Sequence, residues 1–503
     1  MATRLAQAVR GPNHKWWALA AVSLGVFITV LDNTTVNIAL PAIADHFHAD
    51  LPTVQWVSLA ALLTISALLL PVGRLSDLAG RKRVYLAGFA LFGAGALLAG
   101  SAQSPLWLIV ARVVEAVGTA MTTANGMAIT AAVFPPQERG RALGLNATFV
   151  ALGIVVGPIL GGTLVDALGW RAVFFVIPPV AVVGVALAWY ILDERRFALP
   201  PGHGAAAFDW PGAGASALAL TTLLLALARG SVWGWTSVPV VVLFVAFAGA
   251  FVAFLAAELR SQQPMIDLRL FRPRGFSLGS LAGYLSFFSM SFSMFLMPFY
   301  LQRGVGWSAR EAGMLMVPMA LMLAASGPIA GRLSDRMGSR LLTAGGLLAM
   351  AAAFGMYTRL GPSPPLVYLI VGQALLGTGM GVFQAPNNSS ILGTVPREKY
   401  GIASAFLNLL RNLGMVTGVA AATTIVAATM GRAGLGASLT AQAGGGAAAP
   451  TAVAAFLSGM HIAFLAALGI TLAGALICLA AGRPARAPEK AAAGIAPQMA
   501  PRR

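Results

Sequence analysis

The sequence predicts an all-α integral membrane protein with fourteen transmembrane helices. Of its 503 residues, 58% are hydrophobic and only 10% are charged, which is too little charge to cover an ordinary soluble surface. Fourteen apolar stretches are long enough to cross a hydrocarbon core about 30 Å thick at about 1.5 Å per residue. We place them near residues 16–39, 53–72, 84–101, 105–131, 141–165, 171–191, 212–228, 238–257, 277–301, 309–330, 341–358, 365–392, 401–428 and 458–481.

A charged hairpin occurs twice in the chain. One copy begins Gly-Arg-Leu-Ser-Asp at Gly73, and the second begins with the same five residues at Gly331, 258 residues later. The tripeptide Leu-Ile-Val at Leu108 returns at Leu369 with a nearly equal offset. Six stretches therefore repeat as six, and the two stretches near 212–257 fall between the halves. This arrangement predicts a duplicated membrane machine, and transporters are the leading class of such proteins.

The domain organisation follows from this count. We expect a cytoplasmic N-terminus, a first six-helix bundle, two inserted helices with their linkers, a second six-helix bundle and a disordered cytoplasmic tail. Their boundaries are residues 1–15, 16–195, 196–275, 276–482 and 483–503.

Lysine and arginine indicate the orientation. Alternate segments between the stretches, including both termini, hold 25 of the 33 basic residues, whereas the opposite loops hold six and two lie inside the stretches. Under the positive-inside rule, this bias puts both termini in the cytoplasm and the protein in the inner (plasma) membrane. It also explains the net charge of +17 as a topological signal and an attraction to anionic lipids. We therefore expect membrane lipids, and no nucleic acid, among the partners.

Three charged residues lie within the apolar stretches of the first half. Asp32 lies two-thirds along the first stretch, and Arg112 lies at a similar depth in the fourth. Because a charge at mid-membrane costs about 2.5–3.5 kcal/mol on insertion scales, these side chains are expected to face the bundle interior or a water-filled cavity, where they could pair or share a water chain. Glu115 follows Arg112 by three residues and shares its helical face. Each group is either a proton-coupling group or a structural one.

Polar residues inside other stretches outline a candidate substrate path. Arg411 is the intramembrane cation of the second half. The amides either line this path or join helices by hydrogen bonds. Phenylalanines such as Phe287 and methionines on the ninth stretch either form a pliable wall for apolar substrates or pack the core. The path candidates are Asn33, Asn37, Gln55, Asn125, Gln373, Gln384, Asn387 and Arg411.

Glycines on the fifth stretch form a groove. Gly153, Gly157 and Gly161 recur every four residues, and Gly162 follows the last of them, so another helix can approach closely. Pro158 removes one backbone donor and favours a kink. By itself, this pattern predicts only a tightly packed helix.

Together, these motifs resemble those of the fourteen-helix drug:proton antiporters of the major facilitator superfamily, over roughly residues 15–480. The repeated hairpin resembles the superfamily signature between the second and third helices. The segment Leu31–Pro41 resembles the first-helix motif of these exporters, and Gly153–Gly162 resembles their fifth-helix antiporter motif. The resemblance implies the major facilitator fold, with two six-helix bundles plus two extra central helices. It also implies multidrug efflux, of the kind that gives antibiotic resistance, by alternating access.

The resemblance assigns roles to single residues. It implies that Asp32 and Arg112 take part in proton coupling. Where the family pattern usually has Gln, this chain has Glu115, which is either a second titrating site or a permanent counter-ion of Arg112. The glycine motif with Pro158 would be an antiport-specific rocking seam.

The two hairpins are candidate gating latches. An acid at the cytoplasmic rim can face the positive N-terminus of a neighbouring helix, and the basic residues can pair with acids or lipid phosphates. The alternative is a plain positive-inside turn, which leaves the repeated Gly-x-Leu-Ser-Asp frame unexplained. The latch candidates are Gly73, Asp77, Arg81, Gly331, Asp335 and Arg336.

The sequence therefore predicts a proton-driven exporter of small amphipathic drugs, antibiotics or similar hydrophobic compounds, acting as a monomer. The alternatives are an exporter or flippase of a lipid-like metabolite and a proton symporter that imports a nutrient. The chain contains no Gly-Lys-Ser/Thr phosphate loop, and Cys478 is its only cysteine. We accordingly expect a protein that is not an enzyme and needs neither a cofactor nor a metal.

Overall fold

The structure is a computed structural model whose regular elements, within the described residues, are all helical. It describes residues 14–135, 138–194, 210–234, 236–260, 268–396, 400–434 and 450–480. The predictions for both chain ends and for much of the linkers around the inserted helices lie outside this part of the chain.

The described residues form fourteen long helices, one for each predicted stretch, so the all-α prediction is confirmed. The sixth, α6, is interrupted at Val176, and a π-helical turn, Tyr300–Gly304, continues α9. The helices are α1 (His14–His46), α2 (Leu51–Ala79), α3 (Arg81–Gly100), α4 (Pro105–Val133), α5 (Arg139–Leu168), α6 (Ala172–Phe175 and Ile177–Ile191), α7 (Trp210–Trp233), α8 (Val238–Arg260), α9 (Arg274–Phe299), α10 (Ala309–Met337), α11 (Ser339–Tyr357), α12 (Leu366–Gly393), α13 (Tyr400–Arg432) and α14 (Pro450–Ala480).

Among the described residues, thirteen helices are long and apolar enough to cross a membrane. The remaining one, α7, has a shorter apolar stretch, Gly214–Leu227, which agrees with the short stretch predicted there. Several helices extend beyond their predicted apolar stretches, and α2 and α14 are two examples. α2 continues to Ala79 because the polar hairpin residues extend the helix, and α14 begins at Pro450 because the alanines that follow favour helix.

The two halves pack in the same order. In the first half, α1 contacts α4 and α5, α2 contacts α4, and α3 contacts α4 and α6. In the second half, α9 contacts α12 and α13, α10 contacts α12, and α11 contacts α12 and α14. Two seams join the halves, α5 with α10 and α13 with α2. The repeat relates the two seams, because α5 corresponds to α13 and α10 corresponds to α2.

The inserted helices break this symmetry. α7 contacts α2 and α13, so it lies against one of the two seams, and α8 packs against α7. Only 17% of the most apolar part of α8 is buried, which leaves most of this helix available to lipid.

The two hairpins have the same backbone geometry. In each copy the serine hydroxyl donates to the carbonyl of the first glycine of the motif, at 2.6 Å in the first copy and 2.7 Å in the second. Each preceding helix ends at a glycine with positive φ, 97° at Gly80 and 83° at Gly338, a conformation that other residues rarely adopt. The side that carries these two glycines is called the hairpin face below, and the other side is called the opposite face.

Candidate functional site

A buried charge cluster joins α1 to α4. Nη1 of Arg112 donates to Oδ2 of Asp32 at 2.8 Å and to Oε2 of Glu115 at 2.7 Å. All three side chains are between 1% and 3% exposed. The structure thus brings the three predicted coupling residues together in one site, with direct ion pairs between them; their role in proton coupling stays a prediction.

Neighbouring helices enclose the cluster. Nε of Arg112 donates to the carbonyl oxygen of Val57 on α2 at 3.3 Å, and the guanidinium carbon lies 5.9 Å from the ring centre of Phe174. Gly95 of α3 packs against the backbone of Glu115, where an added Cβ would lie 2.5 Å from the Glu115 nitrogen. Water is therefore excluded from the ion pairs, which strengthens them and makes an unpaired charge there costly.

The charges of the cluster do not balance. Two carboxyl groups share one guanidinium nitrogen, and they lie close enough to interact with each other. Oδ1 of Asp32 and Oε1 of Glu115 accept no hydrogen bond from any described residue. With both acids ionised, the cluster carries one net negative charge, and a single proton on either acid makes it neutral. The cluster can therefore hold one exchangeable proton while Arg112 stays paired.

The second half has no copy of this cluster. Helix contacts establish the equivalent positions, because Gly157 approaches Thr34 of α1 in the same way that Gly418 approaches Ser291 of α9. The repeated Leu-Ile-Val tripeptide sets the same register for α4 and α12. The second-half equivalents of Asp32, Arg112 and Glu115 are Ser289, Gln373 and Leu376.

These three second-half residues are uncharged and fully buried. The Ser289 hydroxyl and both polar atoms of the Gln373 amide form no hydrogen bond with described residues. Because no side chain in this set ionises, this region cannot take up a proton as the first-half cluster can.

Most of the amides predicted to line a substrate path form hydrogen bonds within a helix or between helices. Gln55, Asn125, Gln373 and Asn387 are at most 5% exposed. The Asn125 amide donates to the carbonyl of Met121 in its own helix at 2.7 Å, and the Asn387 amide donates across to α9 at 3.1 Å.

The other path amides are half-buried. The Asn33 amide donates to a carbonyl of its own helix at 2.9 Å, and the Asn37 carbonyl accepts from the Ser58 hydroxyl of α2 at 3.1 Å. Gln384 is also half-buried. A role of these residues in a substrate path stays a prediction.

Arg411 lies apart from the charge cluster, on α13. Its guanidinium carbon is 5.7 Å from the ring centre of Phe287 on α9. No described residue forms an ion pair or a hydrogen bond with it. The side chain is exposed, although α13 packs against α2, α7, α9 and α14.

The glycine motif of α5 packs against two helices. Gly153 and Gly161 face α1, where an added Cβ would lie 3.0 Å and 2.8 Å from the nearest atoms. Gly162 faces α10 of the other half, with 2.8 Å between such a Cβ and the Cα of Arg310. The helix continues through Pro158 to Leu168. The predicted close approach is therefore present, both within the first half and across the seam.

A carboxylate at the end of α5 holds the start of α10. Oδ1 of Asp166 accepts from the backbone nitrogen of Ala309, and Oδ2 accepts from that of Arg310, both at 3.0 Å. Ser308 and Glu311 complete this N-terminus as a capping box within α10. The first turn of α10 is thus satisfied partly by its own half and partly by the other half.

Two further contacts join the halves at the opposite face. The Gln302 amide donates to the carbonyl of Ile38 at 3.0 Å, and Arg303 forms an ion pair with Asp45. Sequence reasoning missed these residues and Asp166, because their partners are more than a hundred residues away. In the described chain, no group of three or more His, Cys, Asp or Glu residues could hold a metal ion.

The latch role of the hairpins stays a prediction. Arg81 is half-buried and Arg336 is exposed. The side chains of Asp77 and Asp335, on which the predicted helix-facing contact depends, lie outside the described part of the structure.

Comparison with known proteins identifies the family. A sequence model of the Major Facilitator Superfamily matches residues 22–419 and, in a second alignment, residues 279–501. The chain belongs to this superfamily. It is a multi-pass membrane transporter and not an enzyme, and the family resemblance seen in the sequence is confirmed.

Three relatives show the range of named activities. The riboflavin transporter RibZ of Clostridioides difficile is 34% identical over 414 residues, which cover 81% of this chain and 87% of the relative. The multidrug resistance protein Stp of Mycobacterium tuberculosis is 31% identical over 82% of this chain and 75% of its own length. The tetracenomycin C resistance and export protein of Streptomyces glaucescens is 30% identical over 85% and 78%.

The fold also matches a solved transporter. A bacterial homologue of the human lysosomal transporter Spinster superposes with a TM-score of 0.67 at 19% sequence identity, over 94% of this chain and 97% of that structure. The similarity supports the major facilitator architecture for both halves of the chain.

Proposed function

We propose that this protein exports small amphipathic compounds across the inner membrane in exchange for protons, with both termini in the cytoplasm and Asp32 as the exchanging carboxyl group. The buried cluster of Asp32, Arg112 and Glu115 carries the proposal, because it can gain or lose one proton while Arg112 stays paired. Relatives named for multidrug resistance and for tetracenomycin C export support the outward direction. The riboflavin relative supports transport of a small molecule without indicating a direction.

The two acids differ in what they connect. The ion pair of Asp32 with Arg112 ties α1 to α4, whereas Glu115 lies on the same helix as Arg112. When Asp32 takes up a proton, the tie between the helices weakens to a neutral hydrogen bond, and Glu115 keeps the guanidinium paired. Since an unpaired buried charge costs about 3–5 kcal/mol, Glu115 makes the proton-loaded state accessible. Glu115 therefore acts as the permanent counter-ion in this mechanism.

Helix α1, which carries Asp32, is also the helix against which the glycine motif of α5 packs. α1 packs against α5, and α5 crosses to α10 at the seam between the halves. A change in the ion pair between Asp32 of α1 and Arg112 of α4 can therefore alter the packing of α5 against α10, which joins the halves at the opposite face. This connection gives proton exchange a route to alternating access.

The proposal is tested in proteoliposomes with an imposed pH gradient, using rhodamine 123, fluorescein and ethidium as amphipathic probes. We expect gradient-driven dye movement with the wild type and its loss in Asp32→Asn. Glu115→Gln slows it at least about tenfold, because protonated Asp32 would leave Arg112 unpaired. Ser289→Ala, at the position equivalent to Asp32, is the matched control and leaves the rate unchanged.

Two outcomes contradict the proposal. Gradient-driven movement that persists unchanged in Asp32→Asn removes Asp32 from the coupling. If none of the three dyes moves with the proton gradient in wild-type vesicles, proton-coupled export of amphipathic compounds is wrong.

A further inference from the structure

The second half contains an uncompensated cation deep in the bundle. Arg411 is eleven residues beyond the start of α13 at Tyr400, which corresponds to about 16 Å along the helix. Between residues 276 and 482, the sequence has only three carboxylates, and none lies in the central part of a predicted apolar stretch: Glu311, Asp335 and Glu398. An intramembrane charge without a partner is expensive and is by default a functional site.

The repeat shows that this cation is not part of the common scaffold. Gly153 of α5 and Gly414 of α13 occupy equivalent positions, since each packs against the first helix of its own half. In this register the first-half equivalent of Arg411 is Val150. The same bundle is therefore built with an aliphatic side chain at this position, so packing alone does not require the guanidinium.

An aromatic ring of α9 lies beside Arg411, and two further aromatic residues lie on the same helix. Phe287 lies beside the guanidinium, and Phe288 and Tyr284 on the same helix are half-buried. The Tyr284 hydroxyl is already paired with the Thr417 hydroxyl at 2.9 Å, which leaves the guanidinium as the free polar group. A guanidinium beside aromatic rings can pair with an anionic group while the rings pack against an apolar body.

The accessible interior charge is positive, because the first-half carboxylates are not open to a ligand. Asp32 and Glu115 are at most 3% exposed and are both engaged by Arg112. An amphipathic cation therefore finds no free acid in the described part of the bundle interior near Arg411, whereas an amphipathic anion finds Arg411.

We propose that Arg411 binds the anionic group of the transported compound, so that the preferred substrates are amphipathic anions. Such a compound has an aromatic or aliphatic body and a carboxylate, sulfonate, phosphate or phenolate group. The inference rests on the proposed function only in taking the bound compound to be the transported one. The binding step itself is measured without transport.

The test compares two dyes that share one ring system, anionic fluorescein and cationic rhodamine 123, by fluorescence anisotropy with the purified protein in detergent. We expect the wild type to bind fluorescein more tightly. Arg411→Gln weakens fluorescein binding about tenfold to a hundredfold, the loss expected for a charge-assisted hydrogen bond, and does not weaken rhodamine binding. Arg411→Lys restores part of the affinity. Arg432→Gln, at the exposed end of the same helix, is the matched control and changes neither affinity.

Several results overturn the inference. They are equal wild-type affinity for the two dyes, no wild-type affinity for fluorescein, or an equal loss of both dyes in Arg411→Gln. Thermal unfolding of each variant separates lost binding from lost folding. Proton-driven export with a preference for the cationic dye would overturn the anion site alone. Anion-selective binding without proton-linked transport would overturn the export proposal alone.

Discussion

The two halves of this transporter share their packing but not their charges. Each half has the same helix contacts, a glycine that ends its hairpin helix with positive φ, and glycines that let its first and fifth helices approach closely. Among the described residues, the buried acid–arginine cluster lies in the first half, and Arg411, which has no ion-pair partner there, lies in the second. On the functions proposed above, the repeated packing forms the two bundles that move against each other. The first half exchanges protons, and the second half binds the substrate.

The two seams differ as well. At the start of α10, two backbone nitrogens donate hydrogen bonds to Asp166 of the other half. The equivalent helix, α2, begins at Leu51. Its N-cap residue Asp50 accepts through its side chain from the Thr53 nitrogen at 3.0 Å, and its second residue, Pro52, has no N–H to satisfy. The residue of α13 equivalent to Asp166 is Ala427. We therefore expect substitutions at equivalent positions of the two halves to have different effects on stability and on closure of the opposite face.

The largest difference is expected at the matched pair Arg112 and Gln373. Arg112→Gln leaves two buried carboxylates without a cation, so we expect about 3–5 kcal/mol of destabilisation. Gln373→Met removes an amide whose polar atoms lack partners among the described residues, so its effect is neutral or stabilising. Thermal unfolding in detergent measures both. Equal destabilisation by the two substitutions would show that the halves are not electrostatically distinct.

An intermediate loss of stability, equal in the two halves, is expected at the matched glycines Gly157 and Gly418. A Cβ at Gly157 would collide with the Thr34 hydroxyl, and one at Gly418 would collide with the Ser291 hydroxyl. Each glycine-to-alanine change should therefore cost about 1–3 kcal/mol, as overpacking usually does. Gly144→Ala on α5 is the control, because no atom lies within 4 Å of the added methyl group. A loss confined to one half would contradict the equivalence of the two grooves.

The smallest effect is expected at the seam contact of α5 with α10. Asp166→Ala removes one partly buried and one exposed hydrogen bond, worth about 1 kcal/mol together, which shifts the equilibrium about fivefold towards opening of the opposite face. Spin labels at the exposed positions Thr163 and Met314, with Cys478 replaced by serine, report this as a larger population at long distance.

The control for this change lies at the other seam. Ala427→Asp places an acid at the equivalent position, but Pro52 offers no N–H there, so we expect no matching gain in closure. An unchanged distance distribution in Asp166→Ala would mean that this contact does not hold the opposite face closed.

The sequence predicted the fold well because the bilayer limits the choices. The length of the apolar stretches and the repeated hairpin were enough for fourteen helices in two halves around an inserted pair. Counting residues along two helices was also enough to place Asp32 and Arg112 at a similar depth, although it left open whether they pair directly, as they do. The rotation of a helix about its axis, by contrast, depends on its packing partners. For that reason the burial of Asn125 and Gln373 could not be read from their positions in the chain.

The cap that Asp166 places on α10 also has a consequence for biosynthesis. The acceptor is made 143 residues before the donor it satisfies at Ala309, so it is already in the membrane when α10 enters. At this cap, a second half produced alone would begin α10 with two backbone donors lacking their acceptor, whereas a first half produced alone would lose the partner of an exposed carboxylate. We therefore expect the first turn of α10 to become fully hydrogen-bonded only when the first half is present, either in the same chain or co-expressed as a separate one.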